Sequence, residues 1–276
     1  MGVTMPAGYR PITYDAPLSP PLKNQAWIAE RDSDWRLVMF PGTPARKYLF
    51  ERMLRLAPDD LEVVLIARPG YARGHARAYL DFEDQVAAAQ PFFEGGKKIV
   101  ALGVSYGGEL ALKALVDHPD AVKGAVTVAA LVTEPRPWVQ PFVDLGDAPV
   151  VRALLPRTLH YARAEVAGRR TQIGPLFARL KEVTAPVTII HGNVDHLVSR
   201  RDAETLKSYF RDGADVEFRH VPGGTHFLEM QFPKLLFDAV KGVIARAEAA
   251  DDKRNASHRE EQEALRPSRR PSASSA

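Results

Sequence analysis

The sequence predicts an α/β fold in which a mostly parallel central sheet carries helices on both faces, with a small helical cap inserted after the sixth strand. Three observations predict it. Short apolar runs of strand length alternate with segments of helical pattern through residues 27–130 and again through 184–250, the pattern of parallel strands joined by right-handed crossovers. A serine flanked by glycines sits where one such run, 99–102, passes into good helix formers over 109–115. Between the two alternating regions, prolines at 135, 137, 141, 149, 156 and 175 break residues 131–183 into short apolar pieces, which read as a cap over the C-terminal edge of the sheet.

Each element follows from its own stretch of chain. Residues 6–21 hold five prolines, so 1–26 is expected to be an irregular lead-in. Trp27-Ile28-Ala29 and 35–40 read as strands joined by the polar turn Arg31-Asp32-Ser33-Asp34. The second ends at Phe40-Pro41-Gly42-Thr43-Pro44, a loop open to two readings: a simple strand-closing turn, or a loop whose Thr43 N–H faces a reaction centre. Residues 45–56 read as an amphipathic helix, 61–67 as a buried strand closed by the loop 68–74, and 79–93 as a second helix stopped by Gly95-Gly96. The strand 122–130 precedes the cap. After it come the strand 186–190, a helix over 201–210, the strand 216–221, and a helix over 227–250 interrupted at Pro233. Residues 251–276 are polar, with almost nothing to bury, and are expected to be disordered.

Composition excludes several classes of function. The 276 residues carry a net charge of +3, with six Lys/Arg against five Asp/Glu in 251–276 and 31 against 29 elsewhere. Such balance offers no basic field for nucleic acid. There is no cysteine, which removes disulfides, thiolate zinc sites and cysteine nucleophiles. No metal-ligand spacing of histidines or carboxylates stands out, so neither metal nor cofactor is expected. Residues 1–15 lack the pattern of a signal peptide and no apolar run is long enough to span a membrane, so a cytoplasmic protein is expected. The cap has eight Lys/Arg against five Asp/Glu, either a solvated basic face or a preference for anionic substrates. Oligomeric state is not legible.

Gly103-Val104-Ser105-Tyr106-Gly107 fits the G-x-S-x-G elbow. A strand turning at once into a helix presses backbone against backbone on both sides of the serine, and the glycines permit it. The hydroxyl then stands at the tip of the turn, near the first free N–H groups of the helix. Asp195 follows the strand 186–190, and His226 lies in the glycine loop Pro222-Gly-Gly-Thr-His. Together with the Phe40 to Pro44 loop, these pieces resemble the α/β-hydrolase fold superfamily in its cap-bearing serine-hydrolase branch, over roughly 27–250. That resemblance implies a catalytic triad in the chain order Ser105, Asp195, His226, and an oxyanion hole made by the backbone N–H groups of Thr43 and Tyr106. The family's common His-Gly-x-Pro loop appears here as Pro41-Gly42-Thr43-Pro44.

The residue types suit the chemistry. A serine hydroxyl needs a base, His226, to take its proton, and the base needs an acid, Asp195, to fix its tautomer. The expected activity is hydrolysis of a carboxylic ester or related small-molecule acyl compound through an acyl-serine. Thioesterase, carbon–carbon bond hydrolase, amidase, acyltransferase and perhydrolase activities use the same residues, and a non-catalytic binding module on this fold is the reading from another class. Glu134 is the alternative acid. His191 and His196 flank Asp195 and read as strand-end or surface histidines. The cap's apolar residues, including Leu154, Leu155, Leu159 and Phe177, should face down over Ser105, with Trp138 and Phe142 as pocket walls.

Overall fold

The computed structural model describes residues 8–132, 141 and 155–264. Among them, eight strands form one sheet: β1 (Arg10–Ala16), β2 (Leu22–Ala29), β3 (Trp35–Phe40), β4 (Glu62–Ile66), β5 (Lys98–Val104), β6 (Val122–Val128), β7 (Val187–Gly192) and β8 (Val216–Val221). Their spatial order is β1-β2-β4-β3-β5-β6-β7-β8. β1 and β2 are antiparallel to their neighbours, and β4 through β8 run parallel. The described helices are α1 (Glu51–Arg55), α2 (Phe82–Ala87), α3 (Tyr106–Asp117), α4 (Arg157–Gly168), α5 (Ile173–Arg179), α6 (Arg200–Leu206), α7 (Leu228–Gln231) and α8 (Pro233–Ala264).

Continuous apolar strands bury both faces, and their period of two divides the core. Leu37, Met39, Val63, Leu65, Val100 and Leu102 pack with α1 and α8. Val38, Phe40, Val64, Ile66, Ile99 and Ala101 pack with α2, α3 and α5 on the other face. Each large side chain buried this way contributes about 1.5–3 kcal/mol. The sheet's C-terminal ends are thereby fixed side by side: Phe40 pairs with Gly103, and Gly192 with Val221. No described helix is long and apolar enough to cross a membrane.

Three expectations need correction. The segment 1–26 is not irregular throughout, because β1 and most of β2 lie in it and pair as a hairpin. Its prolines are compatible with this. Pro17, Pro20 and Pro21 fall between the strands, and Pro11 lies on an edge strand, where sheets tolerate proline. Tyr14 closes the hairpin onto the core, its hydroxyl donating to the Ala88 carbonyl at 2.7 Å. The tail is not disordered from 251, because α8 continues to Ala264. Leu236, Phe237, Val240, Val243 and Ala247 bury the first half of that helix. Beyond it the side chains turn outward through residue 260, and helix-forming residues carry the helix on, with Lys98–Asp251 and Arg254–Asp251 ion pairs at the join. The helix expected over 79–93 is only α2 and a 3₁₀ turn at Gln90–Phe92.

In the inserted segment, α4 and α5 are the expected short helices. Phe177, however, does not lie over Ser105. It is buried against the flank of the sheet core, with its ring 4.7 Å from that of Tyr209. Glu134, Trp138, Phe142 and Leu154 lie outside the described residues.

Candidate active site

β5 delivers Ser105 directly to α3, and the turn is as tight as its glycines require. A Cβ on Gly107 would lie 2.0 Å from the Phe40 carbonyl oxygen, and one on Gly103 would lie 1.9 Å from that of Gly107. No side chain fits either position. Ser105 itself takes φ 54° and ψ −124°, a left-handed conformation that costs a non-glycine residue energy and persists only where its surroundings enforce it. Here they do so through the Ser105 N–H, which donates to the Val128 carbonyl at 2.8 Å, and the Ser105 carbonyl, which accepts from Gly108 at the same distance.

β7 and β8 bring acid and histidine together. Their following loops are tied by Val194 N–H to the Gly224 carbonyl at 3.0 Å and Gly223 N–H to Asn193 Oδ1 at 2.8 Å. His226 Nδ1 then lies 2.8 Å from Asp195 Oδ2. The other oxygen, Oδ1, accepts the N–H groups of Leu197 and Val198 at 2.8 and 2.9 Å. Burial alone would push the Asp195 carboxyl up, but His226 and these amides outweigh it and hold the acid below the usual carboxylate range. An ionised acceptor requires the donor on Nδ1, which selects the tautomer whose neutral ring carries its lone pair on Nε2.

His191 lies beneath Asp195, with Nε2 3.6 Å from Oδ2, too far for a hydrogen bond. Burial drives its pKa down despite that neighbour, so it stays neutral. His196 is exposed. Neither competes with His226 for the position beside the aspartate.

Ser105 and His226 line one cavity of about 310 Å³ together with Gly42, Thr43, Pro44, Arg46, Tyr48, Leu49, Val104, Leu197, Phe227 and Glu229. The structure therefore assembles Ser105, Asp195, His226 and the Thr43 loop at one sheet edge. Gly42 is pressed against the serine: a Cβ there would lie 3.1 Å from that of Ser105. The N–H of Tyr106 opens α3 and so has no intrahelical acceptor. Among the described residues there is no cluster that could hold a metal ion.

Two features escaped the sequence reading. Glu229 is buried in the cavity wall, and burial raises its carboxyl to about 7. Its spacing three residues after His226 was the available signal. Behind the Thr43 loop lies a buried polar cluster of Arg68, Tyr71, Gln85 and Glu165. Arg68 was visible as a cation just past an apolar strand, but nothing near Glu165 in sequence marks it as that cation's partner.

A family model described as the alpha/beta hydrolase family matches residues 37–239. No curated protein matches the sequence. Solved structures similar to this chain include 2-hydroxy-6-oxo-6-phenylhexa-2,4-dienoate hydrolase from Rhodococcus sp. strain RHA1, at 13% identity and TM-score 0.67 over 86% of this chain and 99% of that one. The peroxisomal alpha-beta-hydrolase Lpx1 from Saccharomyces cerevisiae has 15% identity and TM-score 0.61 over 94% and 98%. Monoacylglycerol lipase from Paleococcus ferrophilus has 13% identity and TM-score 0.62 over 82% and 100%. At these identities the likeness is one of fold.

Proposed function

From the premise that this chain belongs to the alpha/beta hydrolase family, we propose that it is a serine hydrolase cleaving a carboxylic ester or related acyl compound through an acyl-Ser105 intermediate. The reading is carried by one observation. A histidine whose Nδ1 is held by a buried, ionised aspartate shares a small cavity with a serine on a strained turn.

In this scheme His226 Nε2 takes the Ser105 proton as Oγ attacks the acyl carbonyl. The Thr43 and Tyr106 N–H groups receive the oxyanion, each such donor being worth about 2.7–4 kcal/mol in the transition state. The imidazolium, stabilised by Asp195, returns its proton to the departing alcohol, and a water molecule repeats the sequence in reverse to free the acid. The apolar lining by Pro44, Leu49, Val104, Leu197 and Phe227 supports a small to medium hydrophobic acyl or aryl group.

The test is turnover of p-nitrophenyl esters of graded chain length, with acyl-CoA thioesters alongside. Ester hydrolysis that vanishes in Ser105→Ala at unchanged melting temperature supports the reading. Equal turnover by that variant contradicts it.

A further inference from the structure

We propose that Arg68 and Glu165 are positioning residues that hold the Thr43 N–H in register for the oxyanion, so that the oxyanion hole is complete only while α4 is docked. The inference rests on the serine-hydrolase reading above. Its basis is how a buried ion pair grips one peptide unit.

Arg68, in the loop after β4, and Glu165, on α4, are both withdrawn from solvent, with side chains 0% and 1% exposed. Taking two charges out of water is costly, and pairing and hydrogen bonds are what offset it. Arg68 Nη1 donates to Glu165 Oε1 at 2.7 Å, and Nη2 donates to Oε2 at 3.1 Å, a two-pronged pairing that fixes both planes. Gln85 Nε2 adds a bond to Oε1 at 2.8 Å, the Tyr71 hydroxyl one to Oε2 at 2.8 Å, and the Thr43 hydroxyl another to Oε2. Glu165 thus gathers donors from the oxyanion loop, the loop after β4, and α2.

The decisive contact is the second bond from Arg68 Nη2, to the carbonyl oxygen of Gly42 at 2.8 Å. That carbonyl and the Thr43 N–H belong to the same peptide unit. The unit is trans and planar, so its C=O and N–H point in opposite directions. Drawing the carbonyl toward buried Arg68 turns the N–H the other way, toward the cavity that Thr43 and Gly42 line with Ser105. The Thr43 hydroxyl, bonded to Glu165, anchors the next residue on the same side as the carbonyl. Without these two holds the peptide is free to rotate, and the donor is lost from the transition state.

Glu165 neutralises Arg68 where the cation alone would be an uncompensated buried charge. The burial also explains why the clamp uses a guanidinium. Its planar fork reaches the carboxylate and the carbonyl at once, and its faces are covered by the rings of Tyr71 and Tyr106, at 5.0 and 4.8 Å. A lysine would hold one acceptor but not both in plane.

The experiment compares Glu165→Gln, Arg68→Lys and the double variant Arg68→Met with Glu165→Leu against wild type. The double variant retires both charges together, so its fold does not depend on leaving one buried charge unpaired. Sites are counted by fluorophosphonate labelling at saturation. On each protein kcat and KM for a p-nitrophenyl ester are measured, with inhibition by an aryl trifluoromethyl ketone, which forms an oxyanion, and by the carboxylic acid product, which does not. We expect kcat per site to fall about 10²-fold, as for loss of one oxyanion donor, and affinity for the ketone to fall in parallel. KM and inhibition by the acid should stay within about three-fold. A folded double variant with wild-type kcat and ketone affinity overturns the proposal. So does a loss in which acid and ketone affinities fall equally, since that reports a deformed cavity. Wild-type protein that neither labels nor turns over esters overturns the serine-hydrolase reading instead, and this proposal with it.

Discussion

The two halves of the candidate site are held in different ways. The acid–histidine half is braced from within its own two loops: Asp195 by the amides of Leu197 and Val198, and the loop before His226 by the Gln231 side chain six residues on from Thr225. The half proposed to hold the oxyanion depends on side chains outside its own loop. Gly42 and Thr43 are held by Arg68, 26 residues away, and by Glu165, 122 residues from Thr43. If the proposed roles hold, this difference ties the oxyanion donor to the docking of α4 and leaves the Asp195–His226 pair independent of it.

The local half is broken most severely by Asp195→Asn. An amide in place of the carboxylate favours the wrong histidine tautomer, and kcat should fall by about 10⁴-fold with melting temperature little changed. Ester kinetics on the purified variant check this. A small effect there, with a large one for Glu134→Gln, would transfer the acid role to Glu134.

A second buried pair sharpens the comparison. Arg169 donates to Glu109 on α3 at 2.8 Å and to the Leu131 carbonyl at 2.6 Å, also at about the same depth as the clamp. It joins the inserted segment to the core without touching the oxyanion loop. Glu109→Gln and Glu165→Gln should each cost about 3–5 kcal/mol of stability in denaturant titrations, as expected for a buried pair broken on one side. Only Glu165→Gln should lower kcat per folded site. Equal kinetic losses in both would mean that docking of the segment carrying α4, rather than the Gly42–Thr43 peptide, carries the effect.

This contrast also explains what the sequence could reveal. The elbow was legible because the turn needs its glycines at fixed spacing, Gly103 against the Gly107 carbonyl and Gly107 against the Phe40 carbonyl of the neighbouring strand. Asp195 and His226 were legible because each lies in the loop that follows a strand of the sheet. The sheet's parallel core was legible from alternation, although the β1–β2 hairpin was hidden by prolines that lie at its turn and edge. The helix beyond residue 250 was hidden because propensity and end contacts sustain it without a buried face. The partner of Arg68 was not legible, since an ion pair across 97 residues leaves no local pattern.

Glu229 gives the next effect in size. Its carboxyl is raised from 4.5 to about 7 by burial. Below both values the group is protonated whether folded or not. As pH rises from 4.5, the unfolded chain releases the proton while the native state keeps it, so native stability falls until about pH 7. The total is about 3 kcal/mol. Denaturant titrations across that window should show the decline in wild type and a flatter profile in Glu229→Gln. The same slope in both proteins would remove the burial account of this residue.

The smallest effect belongs to the exposed pair Arg55–Glu51 on α1, spaced i,i+4. Glu51→Gln should cost no more than about 0.5 kcal/mol and leave kinetics unchanged, which makes it the control for both buried pairs.

The most direct measurement of the central claim is the mass of the enzyme after reaction with a fluorophosphonate. The account predicts a single phosphonyl adduct on the peptide containing Ser105, absent in Ser105→Ala and strongly slowed in Asp195→Asn. An unmodified wild-type protein, or an adduct on another residue that persists in Ser105→Ala, would contradict it.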